Sequence, residues 1–328
     1  MCGRPTGPWF AVPADALGYY VVAFDQRGYG RTTGWDTSSF INTNLAQFAL
    51  TNLVRDVVTL VYALGYRKVK CIVGHDFGAV TASMCALMRP DLFNSLVMMS
   101  HPFNAPDLLP FDIAHADTEA HAPTPPLHVH AELAKLDTPR KHYKWYNSTS
   151  AAARDWANPA QGLHVFLRGY LHLKLADWNW TAQELAKLPY YYIMPLHKSM
   201  PETIADMMSD QNIAATEAWM SDQDLAFYVQ EWSRTGFQGG LNYYRIMTDP
   251  VRMTDLQLFA GKKIECPSIF VSDAKDWGNY QQPGAMEAHP ESCSDFRRAR
   301  FIQDAGHWPQ QEQPRKVVDE LVAFLSNL

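Results

Sequence analysis

The sequence is poor in cysteine, in positive charge and in long apolar runs. Its five cysteines, Cys2, Cys71, Cys85, Cys266 and Cys293, are odd in number and form no Cys-x-x-Cys pair, so neither a disulfide framework nor a dithiol motif is written into it. Cys71 and Cys85 sit in apolar segments and read as small buried hydrophobes of a reducing, cytoplasmic protein. Lys and Arg number 28 against 34 Asp and Glu, for a net charge of −6, which gives no basic face for nucleic acid. No window reaches the roughly 18 to 20 unbroken apolar residues of a membrane span. The first ten residues hold Gly, Pro and Arg rather than an apolar stretch, so no secretory leader is expected. The final Ser326-Asn327-Leu328 is a poor likeness of the Ser-Lys-Leu peroxisomal address. Internal repeats and low-complexity tracts are also missing.

What is present is material for a large core. Hydrophobic residues make up 47% of the 328 and charged residues 19%, which argues against disorder. Residues 19–24 (Tyr-Tyr-Val-Val-Ala-Phe) read as a buried strand and are followed by a glycine-rich loop at 26–32. Residues 45–64 carry Leu50, Leu53, Val54, Val57, Val58 and Val61 at helical spacing and end at Gly65. A strand at 69–73, a helix at 79–88 and a strand at 95–99 follow. Strand and helix alternate in units of about 30 residues, the mark of a parallel sheet with crossover helices. That rhythm breaks near Pro102. From 107 to 250 there is no clear strand alternation; Pro123, Pro125 and Pro126 mark a loop, and 140–146, 162–175, 181–187 and 222–234 read as helices. Strands at 268–271 and 301–302 and a closing helix at 314–325 restore the pattern. The expected organisation is an α/β core formed by 1–106 and 251–328, with a helical cap inserted at 107–250.

The strongest motif is Gly74-His75-Asp76-Phe77-Gly78, set between an expected strand and an expected helix. It fits the glycine-flanked elbow that presents a nucleophile at the carboxyl end of a sheet, here with Asp in the nucleophile position. The glycines answer a steric need, because side chains at Gly74 and Gly78 are expected to meet backbone in so tight a turn. A carboxylate nucleophile suits saturated carbon bearing a leaving group and gives an alkyl-enzyme ester. Epoxides and alkyl halides are such electrophiles. The chain order of nucleophile, acid and histidine is met by Asp76, Asp276 and His307, with Asp273 as the other candidate acid in the same loop. The other readings of these residues are an N-cap for Asp76, a helix cap for Asp276 and a surface loop histidine for His307.

These segments resemble a known family. Gly74-His75-Asp76-Phe77-Gly78, Asp25-Gln26-Arg27-Gly28-Tyr29-Gly30-Arg31 and Ala305-Gly306-His307-Trp308 look like the soluble epoxide hydrolases of the α/β-hydrolase fold, over most of the chain and with fungal and plant-type members in particular. By that resemblance the cap supplies two tyrosines that polarise the epoxide oxygen. Gly239-Gly240-Leu241-Asn242-Tyr243-Tyr244-Arg245 points to Tyr244, and Tyr143-Lys144-Trp145-Tyr146 points to Tyr143. Phe77 N–H becomes an oxyanion donor. Phe77 also lacks the indole N–H that dehalogenases of this fold use to hold halide. The implied reaction converts an apolar or aromatic epoxide to a vicinal diol, with no metal or organic cofactor, in a setting such as secondary metabolism. Trp145, Trp178, Trp180 and Trp232 suggest the apolar preference.

The resemblance departs at the start. The family has two or three strands before the Asp25 loop, and a His-Gly-x-Pro loop whose backbone completes the oxyanion hole. Here about 18 residues precede the expected 19–24 strand, and Cys2-Gly3-Arg4-Pro5 reads either as a remnant of that loop, with Cys in place of His and a spacing several residues short, or as no more than a disordered start. Three readings therefore stand: an epoxide hydrolase, a non-catalytic ligand-binding or scaffold protein on a degraded hydrolase fold, and a dehalogenase or lactone hydrolase. The oligomeric state is left open, a homodimer included.

Overall fold

The computed structural model describes residues 18–106, 129–175, 192–280 and 284–328. Four parallel strands form its main sheet: β1 (Ile72–His75), β2 (Leu96–Met99), β5 (Ser268–Ser272) and β6 (Phe296–Phe301), in the order β1-β2-β5-β6. β2 and β5 are central and buried at every position, which is why they are unbroken apolar runs rather than alternating ones. Their alternate side chains feed two cores. Leu96, Met98 and Phe270 join the large cluster on one face; Val97, Met99, Ile269 and Val271 pack with Val317, Leu321 and Phe324 on the other.

Helix α1 (Leu50–Ala63) buries Leu50, Leu53, Val54, Val57 and Val61 along one stripe. It stops at Gly65, which adopts φ +84°, the left-handed conformation that glycine reaches without penalty. Helix α2 (Phe77–Met88) is buried almost all round, from Ala79 through Leu87. Its small Ala, Ser and Cys side chains let it lie close to the sheet. A closing helix at Pro314–Leu325 covers the opposite face.

Between β2 and β5 the described chain is mainly helical. It includes α3 (Tyr143–Asn147), α4 (Leu163–His172), α5 (Asp222–Thr235) and α6 (Gln238–Met247). Helix α6 crosses the 26–32 loop where Gly28 and Gly239 meet backbone to backbone. A side chain at Gly28 would come within 2.7 Å of the Gly239 carbonyl oxygen, so the pair fixes that crossing. The Tyr243 hydroxyl adds a 2.8 Å hydrogen bond to the Arg27 carbonyl.

Three expectations need correction. Residues 19–24 are not a strand; they run as extended chain, with Tyr20 at 68% exposure. A β-branched run becomes a strand by pairing, and no strand among the described residues lies beside it. Residues 140–146 are not one helix. Arg140–His142 forms β3, paired antiparallel with β4 (Ile193–Pro195), and the helix starts only at Tyr143. The final strand is longer than 301–302, because Phe296–Phe301 carries Arg297, Arg298 and Arg300 on a half-exposed edge strand. Charges there suit an edge and hide the strand from a hydrophobicity reading. The expected helix at 181–187, the prolines of 123–126, Trp178, Trp180 and the Cys2–Pro5 segment lie outside the described residues. No described helix is long and apolar enough to cross a membrane.

Candidate active site

The turn from β1 into α2 sets the site. Gly74 has no room for a side chain, since a Cβ there would overlap the Gly78 carbonyl. Gly78 is different. The nearest atom to a Cβ on it is Gln26 Nε2 at 3.8 Å, an ordinary contact, so the turn demands glycine at one flank rather than both. Between them Asp76 holds φ 53° and ψ −119°, a strained conformation for a side-chain-bearing residue. The strain aims its carboxylate off the carboxyl end of the sheet. Phe77 N–H donates to Asp76 Oδ2 at 2.8 Å.

His307 reaches this carboxylate from the loop after β6. Its Nε2 lies 3.3 Å from Asp76 Oδ1, and its Nδ1 lies 3.0 Å from Asp276 Oδ1. The ring is 2% exposed and the Asp276 side chain fully buried. Asp276 is held in turn by Gly278 N–H at 2.7 Å and by the Ser272 hydroxyl at 3.2 Å. Asp273 instead caps its own loop, accepting from Lys275 N–H at 2.7 Å. The structure thus joins Asp76, His307 and Asp276 in one chain and leaves Asp273 outside it.

Charge follows geometry. Burial pushes the Asp76 pKa up, but the hydrogen bond and charge of His307, with Lys174 beyond, hold it well below the usual carboxylate range. Burial likewise opposes ionisation of Asp276, and His307, Gly278 N–H and Ser100 outweigh it. For His307 burial acts downward, yet the Asp276 carboxylate leads a net rise. The arrangement therefore offers an ionised carboxylate next to a histidine whose charged form is supported from behind.

Two tyrosines stand over the elbow. The Tyr244 ring contacts Phe77 at 4.9 Å between centroids, and Tyr143 meets Tyr244 at 5.6 Å. Tyr244 comes from α6 and Tyr143 from the first position of α3. Burial, then the neighbouring Tyr143, Tyr170 and Asp76, keep the Tyr244 pKa well above 10, so its phenol is a neutral donor. Phe77 and Tyr244, with Trp156, Trp232 and Phe237 among others, line a small cavity of about 20 Å³.

Sequence reasoning assigned no role to two groups near the centre. His75, inside the elbow motif, places Nε2 2.6 Å from the His307 carbonyl. Burial, then the charge of His307, lowers its pKa to about 3, so it is neutral and its Nε2–H donates. It pins the His307 loop to β1. Lys174, 8% exposed, sits with its ammonium over the rings of Tyr170, Tyr192 and Trp308 at 4.5 to 5.6 Å, and its carbonyl accepts from His307 N–H at 2.8 Å. His75 had a signal, its place beside Asp76; Lys174 had none.

A parallel sheet whose elbow carries the nucleophile position, backed by an acid–histidine pair, defines an α/β-hydrolase. The chain belongs to the alpha/beta hydrolase family, matching it over residues 5–320, and is an enzyme of hydrolase type. Its relatives agree on the branch. It is 28% identical over 329 residues to epoxide hydrolase B of Mycobacterium tuberculosis, covering 97% of this chain and 86% of that protein. It is 29% identical over 317 residues to epoxide hydrolase A of the same organism, covering 96% and 84%. An epoxide hydrolase from an endophytic Streptomyces superposes with a TM-score of 0.78 at 24% identity, over 99% of this chain and 87% of that one. Potato (Solanum tuberosum) epoxide hydrolase I gives 0.69 at 24% identity, over 93% and 83%.

Proposed function

We propose that the protein opens an epoxide to a vicinal diol through a covalent ester on Asp76. The observation that carries this is the elbow itself: an ionised carboxylate, strained into the nucleophile position, with a histidine at 3.3 Å. Asp76 attacks one epoxide carbon, and the ring C–O bond breaks toward oxygen. Tyr143 and Tyr244 hydrogen-bond that oxygen as charge develops on it, a contribution of roughly a hundredfold or more for such donors. His307, oriented by Asp276, then takes a proton from water, which attacks the ester carbonyl. Phe77 N–H, already on Asp76 Oδ2, stabilises the oxyanion. Residues 107–250 act as the cap that brings the tyrosines over the nucleophile. The relatives named epoxide hydrolases support the same chemistry. The test is a substrate panel. Diol should form from styrene oxide and its relatives, and neither halide release from haloalkanes nor ring opening of lactones should match it. Halide release or lactone opening without diol formation would refute the assignment.

A further inference from the structure

Tyr192 lies just before β4 and is buried. The β3–β4 ladder pairs His142 with Ile193, so its next step sets Tyr143 opposite Tyr192. Tyr143 N–H donates to the Tyr192 carbonyl at 2.7 Å. As the first residue of α3, Tyr143 has an N–H with no acceptor inside its own helix, and this carbonyl supplies one. The two rings meet edge to face, 4.8 Å between centroids and 72° between planes. Tyr192 thus holds Tyr143 by both main chain and ring. Its own ring is enclosed in turn. It stacks on Trp277, the residue after Asp276, at 3.7 Å between centroids. The Lys174 ammonium sits 5.5 Å from its centre, and the Lys174 carbonyl accepts from His307 N–H at 2.8 Å. A large ring packed this way cannot turn without moving its neighbours. Trp277 and His307 follow β5 and β6 of the main sheet, whereas Tyr143 and Tyr192 come from the helical segment between β2 and β5. Tyr192 therefore joins the two parts within one residue of Asp276.

We infer that Tyr192 is a positioning residue for Tyr143: it sets the Tyr143 phenol in register with the loops that carry Asp276 and His307, so that the phenol meets the epoxide oxygen as Asp76 attacks. The inference rests on the epoxide chemistry proposed above. The Tyr192 ring does this rather than its hydroxyl, because the edge contact with Tyr143 and the stack on Trp277 are both ring contacts. Asp276 does not depend on that ring, being held by Gly278 N–H at 2.7 Å and the Ser272 hydroxyl at 3.2 Å. Loss of the ring should therefore slow ester formation, which uses Tyr143, and spare ester hydrolysis, which uses His307 and Asp276.

The test follows both steps in a single turnover of styrene oxide, by rapid acid quench and intact mass. Tyr192→Met should slow ester formation by up to about a hundredfold, the cost of a reacting group misplaced by about 1 Å, and leave hydrolysis within about threefold of native. The conservative Tyr192→Phe keeps the ring and should restore ester formation to within about threefold. In a Tyr143→Phe background Tyr192→Met should add less than about threefold, because the phenol it positions is already gone. A merely structural role would multiply the two losses and slow both steps alike, and either result overturns the inference. So would a native rate of ester formation in folded Tyr192→Met. A loss in Tyr192→Phe as large as in Tyr192→Met would also overturn it, by showing that the hydroxyl acts. Where Tyr192→Met does not fold, Tyr192→His, with a smaller planar ring, takes its place in the same cycle, and Tyr192→Phe decides between ring and hydroxyl on its own. Failure of the native protein to form any ester, in a folded sample, would sink the epoxide reading itself, a result distinct from the others.

Discussion

Replacing Asp276 by Asn separates the two halves of the proposed reaction. The amide is nearly isosteric, and its oxygen can keep the bonds that Oδ1 makes to His307 Nδ1 at 3.0 Å and to Gly278 N–H at 2.7 Å. What disappears is a fully buried negative charge beside the imidazole. At an effective dielectric near 20, opposite charges about 4 Å apart interact by ~4 kcal/mol, or roughly a thousandfold in the rate of a step that creates imidazolium. If the amide rotates and reverses the histidine tautomer, the loss reaches ~10⁴-fold. Ester formation at Asp76 does not charge His307 and should change by less than about tenfold by the same reasoning. Rapid mixing with styrene oxide should therefore give a near-normal alkylation phase followed by a stalled ester. The pH profile supplies a second readout. Asp276 raises the His307 pKa, and a base with a raised pKa loses activity as pH falls through that value. In Asp276→Asn the acid limb of ester hydrolysis should move to lower pH. Equal losses in both phases, with an unmoved limb, would refute the assigned role.

Three further outcomes follow from the same geometry. Tyr244→Phe removes a neutral phenol above Phe77 and should slow alkylation by about a hundredfold while sparing hydrolysis of a preformed ester, as followed by rapid quench. Gly74→Ala should abolish folding or shift thermal unfolding down by many degrees, because its Cβ overlaps the Gly78 carbonyl, whereas Gly78→Ala should be nearly neutral in stability. Acid should destabilise the fold. Burial lowers the pKa of His142 to about 3 and of His289 to about 4, against an unfolded value near 6.5, so below that value the unfolded chain binds more protons. Each then contributes a loss of up to about 1.4 kcal/mol per pH unit. His307, with a raised pKa, contributes in the opposite sense and offsets part of it. Denaturant midpoints measured from pH 7 to 5 should fall, and His289→Gln should flatten the slope.

The elbow was legible because sterics wrote it. Gly74 sits where only glycine fits, and the apolar run of α2 that follows it is buried at nearly every position from Ala79 to Leu87. The expected strand at 19–24 failed for a related reason: composition reports the wish to be buried, while pairing decides whether a strand forms. β6 escaped in the other direction, its arginines belonging to an edge that water reaches. At the site, Asp273 and Asp276 lie three residues apart and look alike in sequence. Gly278 N–H and the Ser272 hydroxyl fix Asp276 against His307, and those bonds depend on a loop conformation that no spacing rule encodes. His75 and His307 are 232 residues apart, and Lys174 acts through a carbonyl and a cage of rings. Such contacts exist only once the chain is folded.

The covalent bond to Asp76 is the centre of the account, and isotopic oxygen tests it most directly. A single turnover of styrene oxide in H₂¹⁸O, followed by mass analysis of the diol and of the peptide bearing Asp76, reports where the new oxygen comes from. Attack by Asp76 puts label in the Asp76 carboxylate and leaves the first-turnover diol unlabelled. Label in the diol with Asp76 unlabelled would contradict it, and would mean that water attacks the epoxide without an ester.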